Sequence, residues 1–159
     1  MSQIKLRRAT PDDMRSLFEW RNAPETRHYA FDPKPIAWED HQRWFRASLG
    51  RDDRHLLIGE MDGEAVGVLR YDVEEKWAEI SIYLVPGKSG RGLGTALLCA
   101  GNAWLALNLP AITSIRAKIL PENIPSRKAF LKAGYVESGG NFEYHVVPDG
   151  NIDNNRVEK

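Results

Sequence analysis

The sequence predicts an α+β domain: a mixed sheet with helices on both faces. Three observations predict it. Two helical stripes come early, between a short first strand and a meander of three strands. A glycine-rich loop then joins the last meander strand to a long helix. A strand, a short helix and two closing strands follow. The chain has 159 residues, of which 42% are hydrophobic, with five each of Trp, Tyr and Phe. That supports one domain with its own core and excludes disorder over most of the chain.

In order, Ile4 and Leu6 alternate with polar residues as a first strand. Thr10-Pro11-Asp12-Asp13 reads as a helix start, with Thr10 as cap, Pro11 at the first helical position and acids at the positive end. Met14, Leu17 and Phe18 carry that helix, and Pro24, Pro33 and Pro35 break the pattern. Trp38, His41, Gln42, Phe45 and Leu49 give a second helix. A strand over 55–61 turns at Asp62-Gly63 into one over 65–73, and a third covers 77–85. The loop 87–94 opens a helix over 95–107. A strand over 115–120 and a helix over 125–133, ended by Gly134, precede strands from Tyr135 and over 142–147. The domain is expected over 1–148, with a polar tail over 149–159.

Several functions are disfavoured by composition. Basic and acidic residues both number 22, which argues against a general nucleic-acid binder. The single cysteine, Cys99, excludes an internal disulfide and a Cys-based zinc site, and the four histidines lack ligand spacing, so no metal is expected. No apolar run approaches the roughly 18 residues of a membrane span, and the first residues lack a signal-peptide core. A cytoplasmic protein with neither membrane nor nucleic-acid partner is expected; a homodimer is allowed.

Ser89-Gly90-Arg91-Gly92-Leu93-Gly94-Thr95-Ala96 is the most informative segment. Glycines let a backbone approach a ligand closely, and a helix start offers free N–H groups at a positive dipole end, so a pyrophosphate would fit. A P-loop is disfavoured because Ile82 stands where its first glycine belongs, and Leu97 breaks the dinucleotide fingerprint counted from Gly92.

Arg91-Gly92-Leu93-Gly94-Thr95-Ala96 matches the Arg/Gln-x-x-Gly-x-Gly/Ala motif, and Asn123-Ile124-Pro125-Ser126 with Phe130 and Gly134-Tyr135 is similar to the second motif, of the GCN5-related N-acetyltransferase superfamily. The element order agrees over about residues 3–147. The resemblance implies a sheet of about seven mostly antiparallel strands with a splayed central pair. It also implies acetyl-CoA as co-substrate. The backbone of Ile82, Tyr83 and Leu84 would pair with the pantetheine arm, and amides from Gly90 through Arg91, Gly92, Leu93 and Gly94 to Thr95, with Ala96 behind, would cradle the pyrophosphate. Asn123 and Ser126 would lie by the same arm, with Phe130 near it; capping of the following helix is the other reading of Asn123.

Amine acetylation needs a neutral amine, a stabilised oxyanion and a proton for the leaving thiolate. Alternation puts Glu79, Ser81 and Tyr83 on one face of the strand over 77–85. A polar face on a central strand is costly unless it lines a cleft, so Glu79 is the candidate general base, with a glutamate at a wet sheet end as the alternative. The resemblance implies an oxyanion donor near Tyr83 or Leu84. Many family members carry Tyr where this chain has Phe130, which cannot donate a proton, so Tyr83, Tyr144 or water must act, or no dedicated acid is needed.

Candidate acceptor residues are Trp20, Arg21, Asn22, Arg27, His41, Trp44 and Ser81. Rings beside cationic and amide groups suit a ring-bearing anionic ligand, and His41 could hold the acceptor or relay a proton as a catalytic group; for Trp44 and Phe45 the alternative is core, for Arg21 a surface charge, and for His41 a buried hydrogen-bonded imidazole. This segment resembles the subgroup that acetylates the 4-amino group of a UDP-linked dideoxy amino-sugar in pseudaminic acid (flagellin glycan) biosynthesis. The expected function is that N-acetyl transfer to a nucleotide-linked amino-sugar. The alternatives are an acetyltransferase for protein N-termini or for small amines including antibiotics, and a silent acetyl-CoA-binding module.

Overall fold

The computed structural model describes residues 3–147, so the tail expected at 149–159 lies outside the described residues. Seven strands form one sheet in the order β1-β2-β3-β4-β5-β7-β6. They are β1 (Lys5–Arg8), β2 (Arg54–Met61), β3 (Glu64–Val73), β4 (Trp77–Leu84), β5 (Ser114–Lys118), β6 (Val136–Ser138) and β7 (Asn141–His145). The pairings are antiparallel apart from the parallel β4–β5 pair. The helices are α1 (Met14–Asn22), α2 (Pro24–Arg27), α3 (Trp38–Leu49), α4 (Leu93–Asn108) and α5 (Ile124–Lys132), with a single 3-10 turn, Pro11–Asp13, ahead of α1. None of the described helices is long and apolar enough to cross a membrane.

The helix start expected at Thr10 forms, and Asp13 closes it into a reciprocal capping box. Thr10 Oγ1 accepts from the Asp12 amide at 3.3 Å, and Asp13 Oδ2 accepts from the Thr10 amide at 2.8 Å. Asp13 also takes two hydrogen bonds from Arg7, at 2.8 and 2.9 Å, tying the box to β1. Pro24, expected only to break the pattern, instead opens α2, since a missing amide costs nothing in a first turn. The long helix begins at Leu93 rather than Thr95, because Gly92 at φ 75° already supplies its N-cap. The strand expected over 115–120 ends at Lys118, where the chain leaves the sheet.

Each face of the sheet has its own core. On one side Leu57, Leu69, Tyr71, Ala78, Ile80 and Ile115 pack with Leu97, Leu98 and Leu105 of α4 and Phe130 of α5. On the other, Leu56, Ile58 and Val68 pack under Leu17 of α1 and Phe45 of α3. Helix α4 lies unusually close to the strands. A Cβ on Gly67 would stand 2.5 Å from Leu97 Cδ2 and 2.9 Å from the Tyr83 carbonyl oxygen, so only glycine lets Leu97 seat there.

A candidate coenzyme and acceptor cleft

The cleft starts where the parallel strands separate. β4 and β5 pair at Trp77 with Ser114, Ala78 with Ile115 and Glu79 with Arg116, and no further. β3 stays paired to β4 as far as Leu84. From Ile80 onward, β4 therefore presents one backbone edge to a widening slot whose far wall is Ala117, Lys118, Ile119 and Leu120. The cleft holds about 980 Å³, at the upper end of ordinary ligand cavities.

At its mouth stands the start of α4. No side chain caps this helix. Ser89, Gly90, Gly92, Leu93, Gly94 and Thr95 line the cleft there. Gly90 and Gly92 have φ of 80° and 75°, and a Cβ on either would meet nothing within 4 Å. The loop thus needs glycine for its backbone turn, and it faces open space. Uncapped amides at the positive end of a sixteen-residue helix are suited to an anion. Arg91 and Ala96 are exposed and are not among the residues lining the cleft; the Arg91 charge helps hold the Glu64 carboxyl below its usual range, after the larger effect of Lys88.

Opposite, α5 closes the slot. Asn123 Oδ1 accepts from the Ser126 amide at 3.2 Å, the capping role considered for it, while both residues line the cleft. Phe130 lines it too, yet is 2% exposed and packs edge-on to Tyr135 at 4.7 Å, as a core residue does. Tyr144 is not in the lining and packs on Tyr135 at 5.4 Å.

Ile82, Tyr83 and Leu84 line the cleft. Burial pushes the Tyr83 hydroxyl above the ordinary phenol range, with the Arg21 and Arg70 guanidiniums pulling the other way, so it is protonated at neutral pH. Ser81 lines the cleft with its hydroxyl accepting from Arg70 Nη2 at 3.1 Å. Glu79 shares the face of Ser81 and Tyr83 but sits at the floor of the fork, beside Lys118 Nζ at 3.7 Å, outside the lining.

The acceptor candidates divide. Arg21, His41 and Trp44 reach the cleft. Trp20, Asn22 and Arg27 do not, and the last two have structural work. Asn22 Nδ2 donates to the Ile36 carbonyl at 2.9 Å and its Oδ1 accepts from the Ile36 amide at 2.8 Å, while Arg27 donates to the carbonyls of Asn22 and Pro33 at 2.8 and 3.2 Å. An irregular connection between α2 and α3 leaves backbone groups without ladder partners, and these two side chains supply them. Trp20 packs against the core beneath α1. His41, 3% exposed, sits among Phe18, Trp38, Trp44 and Phe45 with Nε2 donating to the Met14 carbonyl at 2.8 Å; burial lowers its pKa, so it is neutral. That is the geometry of a buried, satisfied imidazole, and it gives no support to a proton relay.

Arg70, Tyr29, Phe31 and Lys118 line the cleft without having been singled out in the sequence. Arg70 and Asp72 did carry a signal: they are polar residues at alternate positions of β3, the pattern that marked Glu79 and Ser81 on β4. Asp72 bridges Arg54 at 2.6 Å and Arg70 at 2.9 Å.

Residues 3–136 match the family described as Acetyltransferase (GNAT) domain. A Bacillus subtilis (strain 168) protein that carries the provisional name phosphinothricin acetyltransferase YwnH is 30% identical over 144 residues, 86% of each chain. Aminoglycoside acetyltransferase AAC(6')-Ib, solved with coenzyme A and kanamycin, superposes with TM-score 0.81 at 20% identity, over 99% of this chain and 100% of that one. Spermidine N-acetyltransferase from Vibrio cholerae, solved with coenzyme A and spermine, gives TM-score 0.82 at 16% identity, over 91% and 96%. At those identities the two structures speak for the fold.

Proposed function

The chain belongs to the GNAT acetyltransferase family, and from that premise we propose that it transfers acetyl from acetyl-CoA to the primary amine of a small molecule. The observation that carries this reading is the coincidence of two features: an uncapped helix start and an unpaired strand edge, opening on one slot. The diphosphate of the coenzyme suits the amides from Gly90 to Thr95. The pantetheine arm suits the free edge of β4 at Ile82, Tyr83 and Leu84, where it can add as a strand, with Asn123, Ser126 and Phe130 on its other side.

The Tyr83 hydroxyl, held protonated by burial, is the candidate donor to the departing thiolate. Glu79, on the same face at the root of the fork, is the candidate base and would act through water. An amide near Tyr83 or Leu84 would meet the oxyanion.

The relatives reported above are named for phosphinothricin, an aminoglycoside and a polyamine, and none for a nucleotide-linked sugar. That favours a small amine over the amino-sugar expected from the sequence. The test is thiol release from acetyl-CoA with phosphinothricin, kanamycin, spermidine, a UDP-linked 4-amino-sugar and a ribosomal-protein N-terminal peptide. Release with a small amine supports the reading; release with the peptide alone, or with nothing, overturns it.

A further inference from the structure

The acceptor half of the cleft has a charge pattern that the coenzyme half does not explain. Arg21, in the last turn of α1, lines the cleft beside Tyr83. Its Nη1 is buried and has no hydrogen-bond partner. Arg70, the other arginine in the lining, is matched: it shares Asp72 with Arg54. Arg21 has no ion pair among the described residues. An arginine in a last helical turn gains from the helix dipole, but that gain does not require a buried end without a partner. A guanidinium donor withdrawn from water and left unmatched is costly unless something fills its place.

The lining also contains three carboxylates, on Glu25, Asp32 and Asp40. All are on exposed residues at the rim and already engaged: Glu25 accepts from the Gly87 amide at 3.3 Å, Asp32 from the Lys34 amide at 3.1 Å, and Asp40 pairs with Arg43. Arg21 and Arg70 are the two guanidiniums in the lining, and the charge of both acts on the Tyr83 hydroxyl. The interior of the acceptor half is therefore cationic beneath a mixed rim.

We infer that Arg21 receives an anionic group carried by the acceptor itself, so that this enzyme acetylates an acidic amine rather than a polycation. The inference rests on the acetyltransferase reading and adds the substrate class to it. A carboxylate or phosphinate would be gripped through two donors, with the Tyr83 hydroxyl and Arg70 close by; the amine of the same molecule is then held within the cleft. A polyamine or aminoglycoside would bring positive charge against two guanidiniums.

The test is calorimetric binding to the full-length protein saturated with coenzyme A. The probes are phosphinothricin, a UDP-linked 4-amino-sugar, spermidine and kanamycin. The expected result is that an anionic amine binds at least about tenfold more tightly than either polycation, and that Arg21→Gln weakens it by about 30-fold or more while coenzyme affinity holds. Arg21→Lys, which keeps the charge without the fork, should fall between. Phosphinothricin against the UDP-sugar tells whether the anion is an acid on the amine or a diphosphate beyond it. Tighter binding of spermidine or kanamycin, or an unchanged constant in Arg21→Gln, overturns the inference, as does failure of both anionic probes in a protein that binds coenzyme A. Because binding is the readout, loss of thiol release with every amine would sink the proposed activity and leave the charge comparison standing on its own result. Should Arg21→Gln fail to bind coenzyme A, the Arg21→Lys comparison decides.

Discussion

Glu79 and Arg116 are the last residues to pair across β4 and β5; past them the strands diverge and the cleft begins. The carboxylate of Glu79 stands at that fork with Lys118 as its neighbour at 3.7 Å. If Glu79 takes the amine proton, Glu79→Gln should lower kcat by roughly 100-fold and leave coenzyme affinity alone. Steady-state kinetics with a calorimetric Kd separates the two. An unchanged kcat would make Glu79 only the partner of Lys118.

Gly92 holds the N-cap of α4 at φ 75° with no side chain offered to the amides behind it. Gly92→Asp puts an acceptor and a negative charge where the diphosphate should lie. The helix should persist, since aspartate tolerates this backbone region better than most residues. Coenzyme affinity should fall at least about tenfold. Circular dichroism checks the helix and titration the affinity; equal affinity would move the diphosphate elsewhere.

Gly67→Ala tests how α4 is seated. The new Cβ would press on Leu97 and on the Tyr83 carbonyl oxygen. Overpacking of this kind costs about 1–3 kcal/mol. Leu97→Ala added to it should relieve the side-chain clash but not the backbone one, so rescue should be partial. Urea unfolding of the single and double variants reads this directly.

Burial lowers the pKa of His41, with the Met14 carbonyl opposing, and of His55, where the nearby Arg8 charge adds to burial. The unfolded chain then binds protons more readily than the folded one at mildly acid pH. Stability should be full above the ordinary histidine value of 6.5 and be lost progressively as pH falls below it. Asp13, whose carboxyl is lowered chiefly by its Arg7 hydrogen bonds, should extend the loss below pH 3.8. Denaturation midpoints at several pH values check both windows, and His41→Gln should shrink the first to the part that His55 contributes.

Much of the frame was legible because local chemistry and tertiary demand coincide. Thr10-Pro11-Asp12-Asp13, Asp62-Gly63 and the glycines of 90–94 each need a particular backbone state that only certain residues supply. The alternation of Glu79, Ser81 and Tyr83 likewise gave their common face. What stayed hidden was the side-chain assignment of the acceptor half. Asn22 and Arg27 look like ligand groups in sequence, but they close backbone hydrogen bonds in a connection whose path depends on the whole fold. His41 and Trp44 lie one helical turn apart and both line the cleft, yet the imidazole Nε2 is already engaged by the Met14 carbonyl, while the Trp44 ring lies 5.6 Å from the Arg70 guanidinium. Arg70 is harder to read from sequence because its partners, Asp72 on β3 and Ser81 on the neighbouring β4, are brought to it by the pairing of the sheet.

The slot between β4 and β5 and the amides of α4 stand or fall together as a coenzyme site. Titration of the protein with coenzyme A and, in parallel, with pantetheine measures this most directly. Saturable one-to-one binding of coenzyme A, at least about tenfold tighter than pantetheine because the diphosphate meets the helix start, is the expected result. No heat with coenzyme A, or equal affinity for pantetheine, would contradict it.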